Sequence, residues 1–250
     1  MLGRCENLND IHIVGEFDMS HIRCSDVAKT ESERLLKLFE DQMFESTKWR
    51  ETHYKISYLN VRSLRAQIDD ILKDARLLES NILAFGETWL EEEESVELPG
   101  FKSYFASHGK GKGVAVFSKL EIVEEPLIEA TENYSIIAIR TLKMDVIFLY
   151  LSQGIGAMLE EKILKWVNLA QPTAIMGDMN WHFEENSTNA MQKFLYKAEF
   201  QQLITKPSHE QGHVLDQIYV NHFLLDPNAY QESHPVYYSD HDIISLFTQK

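Results

Sequence analysis

The feature that most constrains the fold of this chain is a series of short apolar runs, most of which end at a polar residue. From residue 54 onward, these runs alternate with amphipathic helical patterns. Apolar, β-branched runs of four to eight residues have the length of strands. The expected strands are 55–60, 81–86, 113–118, 134–141, 144–151, 173–177, 214–221 and 243–248, and the expected helices are one capped by Ser63, 157–170 and 188–200. Many short strands, few helices and no internal repeat predict two packed sheets with helices outside.

Residues 1–53 differ from the rest of the chain and are predicted to form an N-terminal extension or linker with one helix. They contain both cysteines, Cys5 and Cys24, and a helical pattern over residues 30–46 that begins with a capping box. Residues 54–250 are predicted to form the main domain, since 250 residues fit one large domain plus a short extension. Two cysteines form neither a disulfide framework nor a zinc cluster, which favours a reducing, intracellular compartment.

The formal net charge of −15 restricts the partners of the protein. Proteins that bind nucleic acid tightly without regard to its sequence are usually basic, so such a clamp is disfavoured. An enzyme that holds a cation and contacts a few phosphates locally is compatible with the acidity. The chain has no apolar run of about 18 residues, and its first ten residues lack the basic-then-apolar order of a signal peptide. We therefore expect no membrane partner.

Polar side chains lie where the expected strands begin or end. These residues are Asn60, Glu87, Asp178, Asn180, Asp216, Asp240 and His241. Strand ends carry loops on a rigid scaffold, where binding and catalytic residues are frequent. Asp216 falls inside an apolar run, and a buried carboxylate is costly unless it is paired. The pattern therefore predicts that these residues converge at one pocket.

The residue types fit the hydrolysis of a phosphate ester. Mg²⁺ takes oxygen ligands and keeps several waters, so one or two carboxylates suffice to hold it. Asp178 and Asn180 are two residues apart and would face the same side of an extended backbone. The carboxylate could orient a water molecule there while the amide contacts the phosphate. His241 paired with Asp216 would have a raised pKa and could face the phosphate as a cation.

Five motifs, in order, connect the chain to a known family. They are Leu59-Asn60, Gly86-Glu87-Thr88-Trp89-Leu90, Gly177-Asp178-Met179-Asn180, Leu215-Asp216-Gln217-Ile218 and Ser239-Asp240-His241. Together they resemble the endonuclease/exonuclease/phosphatase superfamily over residues 55–248. The stretch Gly-Glu-Thr-Trp-Leu is most similar to the endonuclease domains of non-LTR retrotransposons and Helitron-type elements. The resemblance implies a four-layer α/β sandwich, with two mainly antiparallel or mixed sheets flanked by helices, and a divalent-metal-dependent phosphodiesterase.

The resemblance implies a metal site for Mg²⁺ or Mn²⁺. Glu87 would be the principal ligand, with Asn60 beside it and Asp240 in the shell of the metal or of the histidine. The family often carries Asp or Asn two residues after the first Asn, where this chain has Arg62. This departure leaves open whether there is a second metal ligand. Arg62 is itself a candidate substrate-binding residue, together with Asn180 and Tyr150.

Catalytic roles are implied in the same way. Asp178 would orient or deprotonate the attacking water, and Asn180 would hold the phosphate. His241, supported by Asp216, would stabilise the transition state. Tyr150 matches a family tyrosine that contacts the phosphate or leaving group, although the proline that often follows that tyrosine within two residues is absent here.

The implied substrate is nucleic acid, with DNA favoured over RNA. A nuclear location, a monomeric state and a past fusion to a helicase or reverse transcriptase are further expectations. Two alternatives stay open: a phosphomonoesterase or lipid phosphatase of the same superfamily, and a catalytically inactive binding module. Inositol phosphatases resemble the pattern W-x-G-D-x-N-x-R, which this chain lacks because Trp181 follows Asn180 and no Arg lies nearby.

Two local patterns suggest other chemistry. His209-Glu210-Gln211-Gly212-His213 matches the H-E-x-x-H pattern of zinc proteases, which requires both histidines on one helical face. The preceding Pro207, the internal glycine and the β-branched run that follows favour a loop. Gly109-Lys110-Gly111-Lys112-Gly113 lacks the spacing of a phosphate-binding loop and precedes a strand, so it is predicted to be a hairpin loop.

Overall fold

Two six-stranded sheets face each other in the computed structural model, which describes residues 51–152, 157–167, 171–184, 189–225 and 229–250. The strands are β1 (His53–Asn60), β2 (Ile82–Gly86), β3 (Lys102–Ala106), β4 (Val114–Ser118), β5 (Leu127–Ala130), β6 (Tyr134–Arg140), β7 (Asp145–Leu151), β8 (Thr173–Asp178), β9 (Gln201–Gln202), β10 (Asp216–Val220), β11 (Tyr230–His234) and β12 (Ile243–Gln249). The helices are α1 (Leu64–Ile71), α2 (Ala75–Leu78), α3 (Ala157–Trp166) and α4 (Ala190–Lys197), and a 3₁₀ helix spans His222–Leu224.

The two sheets share one plan. Their strand orders are β11-β12-β1-β2-β4-β3 and β5-β6-β7-β8-β10-β9. Among the described strands, each sheet has one parallel pair, β1 with β2 and β7 with β8, and the other neighbours are antiparallel. Helices α1 and α2 connect the first parallel pair and α3 connects the second, as parallel neighbours require. Within each pair, the carboxyl ends of the two strands therefore lie side by side.

The core between the sheets is built by alternation along the strands. In β1, Ile56 and Tyr58 pack into this core, whereas Leu59 faces the opposite side. In β8, Ala174 and Met176 pack into the same core from the second sheet. Because one face of each sheet is buried against the other, the register decides which residues point inward.

Helices cover the two outer faces. Leu64 and Ile71 of α1 and Leu77 of α2 pack with outward-facing residues of the first sheet. Leu159 of α3 and Leu195 of α4 do the same for the second sheet. The order helix, sheet, sheet, helix is the four-layer α/β sandwich that was predicted, so the fold class is confirmed.

The elements agree with the sequence pattern except at particular places. Every predicted strand is present, with ends shifted by at most two residues. Ser63 stands at the N-cap position of α1, but its side chain makes no capping hydrogen bond and its φ is 93°. The predicted helix over 188–200 is shorter, and β3, β5, β9 and β11 were not predicted.

The predicted extension over residues 1–53, with its helix over 30–46, lies outside the described residues apart from its last three. That division of the chain stays a prediction. Of the helices in the described ranges, none is both long enough and apolar enough to cross a membrane.

Candidate active site

Polar residues stand at one end of the core between the sheets. The last inward-facing residue is Asn60 in β1, Tyr150 in β7 and Asp178 in β8. Asp216 is the first residue of β10. The register places Asp178 opposite Asp216 on one side and beside Tyr150 on the other. The same alternation that fills the core thus gathers these side chains where the core ends.

The loop after β2 holds Glu87 in a strained conformation. The pairing of β1 and β2 continues beyond both strands, because the Val61 amide donates to the Gly86 carbonyl at 3.1 Å and the Ser63 amide to the Glu87 carbonyl at 2.8 Å. A Cβ on Gly86 would lie 1.9 Å from the Tyr58 hydroxyl, so no larger residue fits there unchanged. Glu87 itself has a φ of 47°, which non-glycine residues seldom adopt. Such strain costs on the order of 1–3 kcal/mol and clusters at functional sites.

One amide links the two sheets. Asn60 Nδ2 donates to Glu87 Oε1 at 3.0 Å and to Asp178 Oδ2 at 2.8 Å. The Arg62 amide donates to Asn60 Oδ1 at 3.3 Å, which orients the side chain. The other Glu87 oxygen, Oε2, accepts a hydrogen bond from Trp89 Nε1 at 3.2 Å. Both oxygens of Glu87 are therefore held by neutral donors.

Asp178 is buried and only 2% exposed. Burial, and then the neighbouring negative charge of Asp216, raise the pKa of this carboxyl well above its usual range, although His241 and the hydrogen bonds from Asn60 and Asn180 act in the opposite direction. The Asn180 amide donates to Asp178 Oδ1 at 2.8 Å. A carboxyl group with a pKa raised in this way can exchange a proton near neutral pH.

Asp216 and His241 form a buried ion pair. His241 Nδ1 lies 2.8 Å from Asp216 Oδ2, and the Ser208 hydroxyl donates to the same oxygen at 2.9 Å. Burial alone would lower the pKa of His241, but the charge and hydrogen bond of Asp216 outweigh it and raise the pKa to about 9. The imidazole is therefore a cation at neutral pH, and it lies close to Asp178.

The segment that carries His241 is fixed from two sides. The Ser239 hydroxyl donates to the Asn60 carbonyl at 2.6 Å and accepts from the His241 amide at 3.1 Å. His209 pairs with His241 through a β-bridge, and their rings meet edge to face at 4.6 Å. The Asp242 amide donates to the Ser208 carbonyl at 2.7 Å. These bonds set the position of the imidazole relative to β1 and β10.

Asp240 lies at the edge of the pocket. Its Oδ2 forms an ion pair with Arg62 at 2.7 Å and lies 3.6 Å from His209 Nε2. Its Oδ1 is buried and has no hydrogen-bond partner in the described part of the chain. Among the residues that the structure describes, no ion pair occupies Glu87. An unpartnered carboxylate oxygen and a second carboxylate without a cation fit a hard divalent ion with oxygen ligands.

The other carboxylate cluster fits an ion less well. Asp178, Asp216 and His241 bring their ligand atoms within 4.8 Å of one another. However, His241 Nδ1 is already engaged by Asp216, and Asp178 Oδ2 by Asn60. Because His241 is a cation, its ring offers no lone pair to a metal ion, so this arrangement is an ion-paired network rather than an open set of ligands.

Tyr150 completes the pocket beside Glu87. The ring is 6% exposed. Burial first, and then the charges of Glu87 and Asp178, raise the pKa of its hydroxyl far above the ordinary value. The hydroxyl therefore stays protonated at any physiological pH and can act only as a neutral hydrogen-bond donor or acceptor.

The structure gathers most of the predicted residues in one place. Those in or at the pocket are Asn60, Glu87, Tyr150, Asp178, Asp216, Asp240 and His241. Asn180 contributes its backbone amide, while its side chain is exposed. Arg62 lies on Asp240, and its side chain is 55% exposed. The catalytic and metal-binding roles of these residues stay predictions.

Two participants were not predicted as site residues. Trp89 donates a hydrogen bond to Glu87, and it belongs to the motif Gly86-Glu87-Thr88-Trp89-Leu90. Ser208 holds Asp216 through its hydroxyl and accepts the Asp216 amide at 2.9 Å. No local pattern marks Ser208, because its partner lies eight residues further along and meets it only through the fold.

The zinc-protease pattern does not form a helix. The amides of Ser208 and His209 both donate to the His213 carbonyl, which closes a turn. The His213 ring meets the His182 ring edge to face at 5.2 Å, whereas His209 contacts His241. The glycine-rich stretch over 109–113 joins the antiparallel strands β3 and β4, as predicted for a hairpin loop.

Comparison with known proteins places this geometry in a family. The family model described as "Endonuclease/Exonuclease/phosphatase family" matches residues 57–241, a range that includes the whole pocket. No curated protein sequence matches the chain.

Solved structures with the same fold are distant in sequence. An AP endonuclease from Archaeoglobus fulgidus is 18% identical with a TM-score of 0.60, covering 78% of this chain and 99% of that one. The endonuclease domain of TRAS1, a telomere-specific non-LTR retrotransposon, is 15% identical with a TM-score of 0.58, covering 78% and 98%. A 3′ phosphatase from Neisseria bound to a product DNA hairpin is 14% identical with a TM-score of 0.51, covering 77% and 98%. At these identities the structures establish the fold, and the family match over residues 57–241 establishes that this chain belongs to the endonuclease/exonuclease/phosphatase family.

Proposed function

We propose that this protein is a Mg²⁺- or Mn²⁺-dependent endonuclease of mobile-element type that cleaves phosphodiester bonds in DNA. The observation that carries the proposal is the Asn60 amide, which joins the Glu87 carboxylate of one sheet to the Asp178 carboxylate of the other. This contact brings a candidate ligand of a cation next to a candidate base for water. Metal-dependent hydrolysis of a phosphodiester uses both within one pocket.

Glu87, Asn60 and Asp240 would hold the metal ion. Their oxygen atoms match the ligand preference of Mg²⁺ and Mn²⁺, and the buried Oδ1 of Asp240 has no hydrogen-bond partner among the residues that the structure describes. When bound, the ion would supply positive charge to a phosphate oxygen. Trp89, which donates to Glu87, would keep the carboxylate turned into the pocket.

Asp178 would orient and deprotonate the attacking water. Its raised pKa makes it a stronger base than an ordinary aspartate, and its two oxygens are fixed by Asn60 and by the Asn180 amide. His241, kept cationic by Asp216, would stabilise the negative charge that develops on the phosphate. The protonated hydroxyl of Tyr150 would donate to a phosphate or leaving-group oxygen.

The choice of nucleic acid as substrate rests on three observations. The stretch Gly86-Glu87-Thr88-Trp89-Leu90 resembles mobile-element endonucleases. The TRAS1 endonuclease domain shares the fold over 78% of this chain. The 3′ phosphatase from Neisseria, which also shares the fold, is bound to a product DNA hairpin in its structure. Because that protein is a 3′ phosphatase, ends bearing a 3′ phosphate belong in the same substrate panel.

The test is nicking of supercoiled plasmid by the full chain. We expect nicking with Mg²⁺ or Mn²⁺, none with excess chelator, and a loss of at least about 100-fold in the isosteric variant Asp178→Asn, since general-base catalysis typically contributes 10²–10⁴-fold. Asp69→Ala, which changes an exposed carboxylate of α1, is the matched control and should leave nicking unchanged.

Three results would contradict the proposal. Nicking that survives chelation or Asp178→Asn would assign the activity to something other than this pocket. Cleavage only of 3′-phosphorylated ends or inositol phosphates would make the protein a phosphomonoesterase. Absence of divalent-metal binding in calorimetry would favour a binding module without catalysis.

A further inference from the structure

An aromatic groove opens beside the pocket, on the side where Asp240 lies. Its volume is about 590 Å³, within the range of small-molecule sites. The residues that define this groove are Arg62, Trp89, Glu210, Tyr237, Tyr238 and Asp240. Asp240 lines both the aromatic groove and the pocket. A substrate that reaches the pocket through the groove would therefore also occupy the groove.

Two of the rings in the aromatic groove are held by carboxylates, one in α1 and one at the N-cap of α2. The Tyr237 hydroxyl donates to Asp70 at 2.5 Å, and the Tyr238 hydroxyl donates to Asp74 at 2.9 Å. The two rings meet edge to face, with centroids 5.2 Å apart. Tyr237 is nevertheless 83% exposed, so most of its surface is open to solvent. A tethered, exposed ring is prepared for stacking, because less freedom is lost on binding.

Trp89, the third ring of the groove, is hydrogen-bonded to Glu87, the candidate metal ligand. Its Nε1 donates to Glu87, its φ is 58°, and the ammonium of Lys110 lies 5.7 Å from its ring centroid. The backbone amide of Trp89 donates to the Lys112 carbonyl at 3.0 Å. The ring is therefore fixed with respect to the pocket, and whatever it contacts is placed at a set distance from Glu87.

The charges of the aromatic groove favour a neutral planar group over a phosphate. Glu210 and Asp240 contribute negative charge, and Arg62, the one cation among the described residues that line the groove, is already paired with Asp240. The whole chain carries a net charge of −15, so electrostatic attraction for a polyanion is weak. Stacking on aromatic rings supplies about 1–3 kcal/mol per base without requiring net positive charge.

We propose that the aromatic groove receives one unpaired nucleobase of the substrate strand, adjacent to the phosphate that is cleaved. This inference rests on the proposed function and specifies its substrate: a single-stranded, flipped or otherwise unstacked nucleotide. A base inside a duplex has both faces covered by its neighbours, so only an extruded or single-stranded base can offer a face to Tyr237. Stacking would then supply this acidic protein with affinity for nucleic acid, in the place of the counterion release on which basic proteins rely.

The test is binding of a fluorescein-labelled single-stranded oligodeoxynucleotide to the full chain in excess chelator, followed by anisotropy. Tyr237→Ala should weaken binding by roughly 5- to 150-fold, the equivalent of about 1–3 kcal/mol. Tyr237→Phe keeps the ring but loses the bond to Asp70, so it should bind more tightly than Tyr237→Ala and somewhat less tightly than the wild type. The control is Leu142→Ala, since Leu142 is also exposed, at 79%, but lies in the β6–β7 turn at the opposite end of β7 from Tyr150.

A scan of abasic sites through the oligonucleotide locates the base. One abasic position should weaken wild-type binding by the same factor as Tyr237→Ala, and should have no further effect on that variant. The inference is overturned if Tyr237→Ala binds like the wild type, if Tyr237→Phe loses as much as Tyr237→Ala, or if every abasic position has the same effect.

The outcomes separate this inference from the proposed function. Metal-dependent nicking together with unchanged binding by Tyr237→Ala would refute only the role of the aromatic groove. A position-specific abasic effect without any nicking would support the aromatic groove and refute the endonuclease.

Discussion

Replacing Asp216 with asparagine removes the charge that keeps the His241 imidazole protonated inside the protein. The pKa of His241 is raised to about 9 from an ordinary value of 6.5, and the side chain is 6% exposed. At about 1.4 kcal/mol for each tenfold change in the proton equilibrium, this difference corresponds to about 3 kcal/mol in favour of the charged form. In the variant, burial is opposed only by the more distant charges of Asp178 and Asp240, so we expect the pKa to fall to about 6.5 or below.

The same pair makes stability depend on pH. Because the pKa of His241 is higher in the folded than in the unfolded chain, its stabilising contribution is complete below about pH 6.5 and is lost as the pH rises through about 9. At pH 7 most of the roughly 3 kcal/mol is present. Asp216→Asn should therefore lower the free energy of unfolding at pH 7 by an amount of this order and flatten its decline between pH 7 and 9.

The assay is an NMR titration of the His241 ring in protein kept free of metal by chelator. Asp242→Asn is the matched control. Asp242 directly follows His241 in the chain, but its carboxylate accepts a hydrogen bond from the Ser233 hydroxyl at 2.9 Å rather than binding the imidazole. A His241 pKa that stays near 9 in Asp216→Asn, or that falls equally in Asp242→Asn, would refute the assignment of the partner.

Two further changes test the packing around the site. Gly86→Ala should destabilise the fold by about 1–3 kcal/mol in urea denaturation, because the added Cβ would lie 1.9 Å from the Tyr58 hydroxyl. The double variant with Tyr58→Phe should recover part of the lost stability, and no recovery would contradict the contact. Arg140→Met should lower the free energy of unfolding by about 3–5 kcal/mol, because the fully buried Asp145 loses the guanidinium that contacts it at 2.9 Å. A loss under about 1 kcal/mol would mean that the ion pair is exposed to water.

The limit of prediction from sequence is clearest in the strands. The central strands were found because burial on both faces makes them continuous apolar runs, as in 146–151 of β7. The four strands that were missed, β3, β5, β9 and β11, are the outermost strands of the two sheets. An edge strand is exposed on one side and carries mixed residues, such as Tyr-Gln-Glu-Ser-His in β11, so no apolar period marks it.

Site residues can be predicted from the sequence where a polar residue interrupts an apolar, buried strand. Asp178 and Asp216 stand at inward-facing positions of apolar strands, and an unpaired carboxylate there would be costly. Contacts that depend on the meeting of distant loops could not be read in this way. The pairing of Arg62 with Asp240 joins residues 178 positions apart, and the left-handed backbone of Glu87 follows from hydrogen bonds between two loops. Sequence patterns report local periodicity and residue type, whereas these features are set by tertiary distance.

If the ends of the two stacked sheets form one divalent-metal site at Glu87, anomalous diffraction from crystals soaked in Mn²⁺ will locate the ion there. We expect an anomalous peak in direct contact with a Glu87 carboxylate oxygen, with Asn60 or Asp240 beside it, and loss of that peak in Glu87→Gln. A peak held by Asp178, Asp216 and His241 instead, or a Glu87 carboxylate that stays bonded only to Asn60 and Trp89 at saturating Mn²⁺, would contradict it.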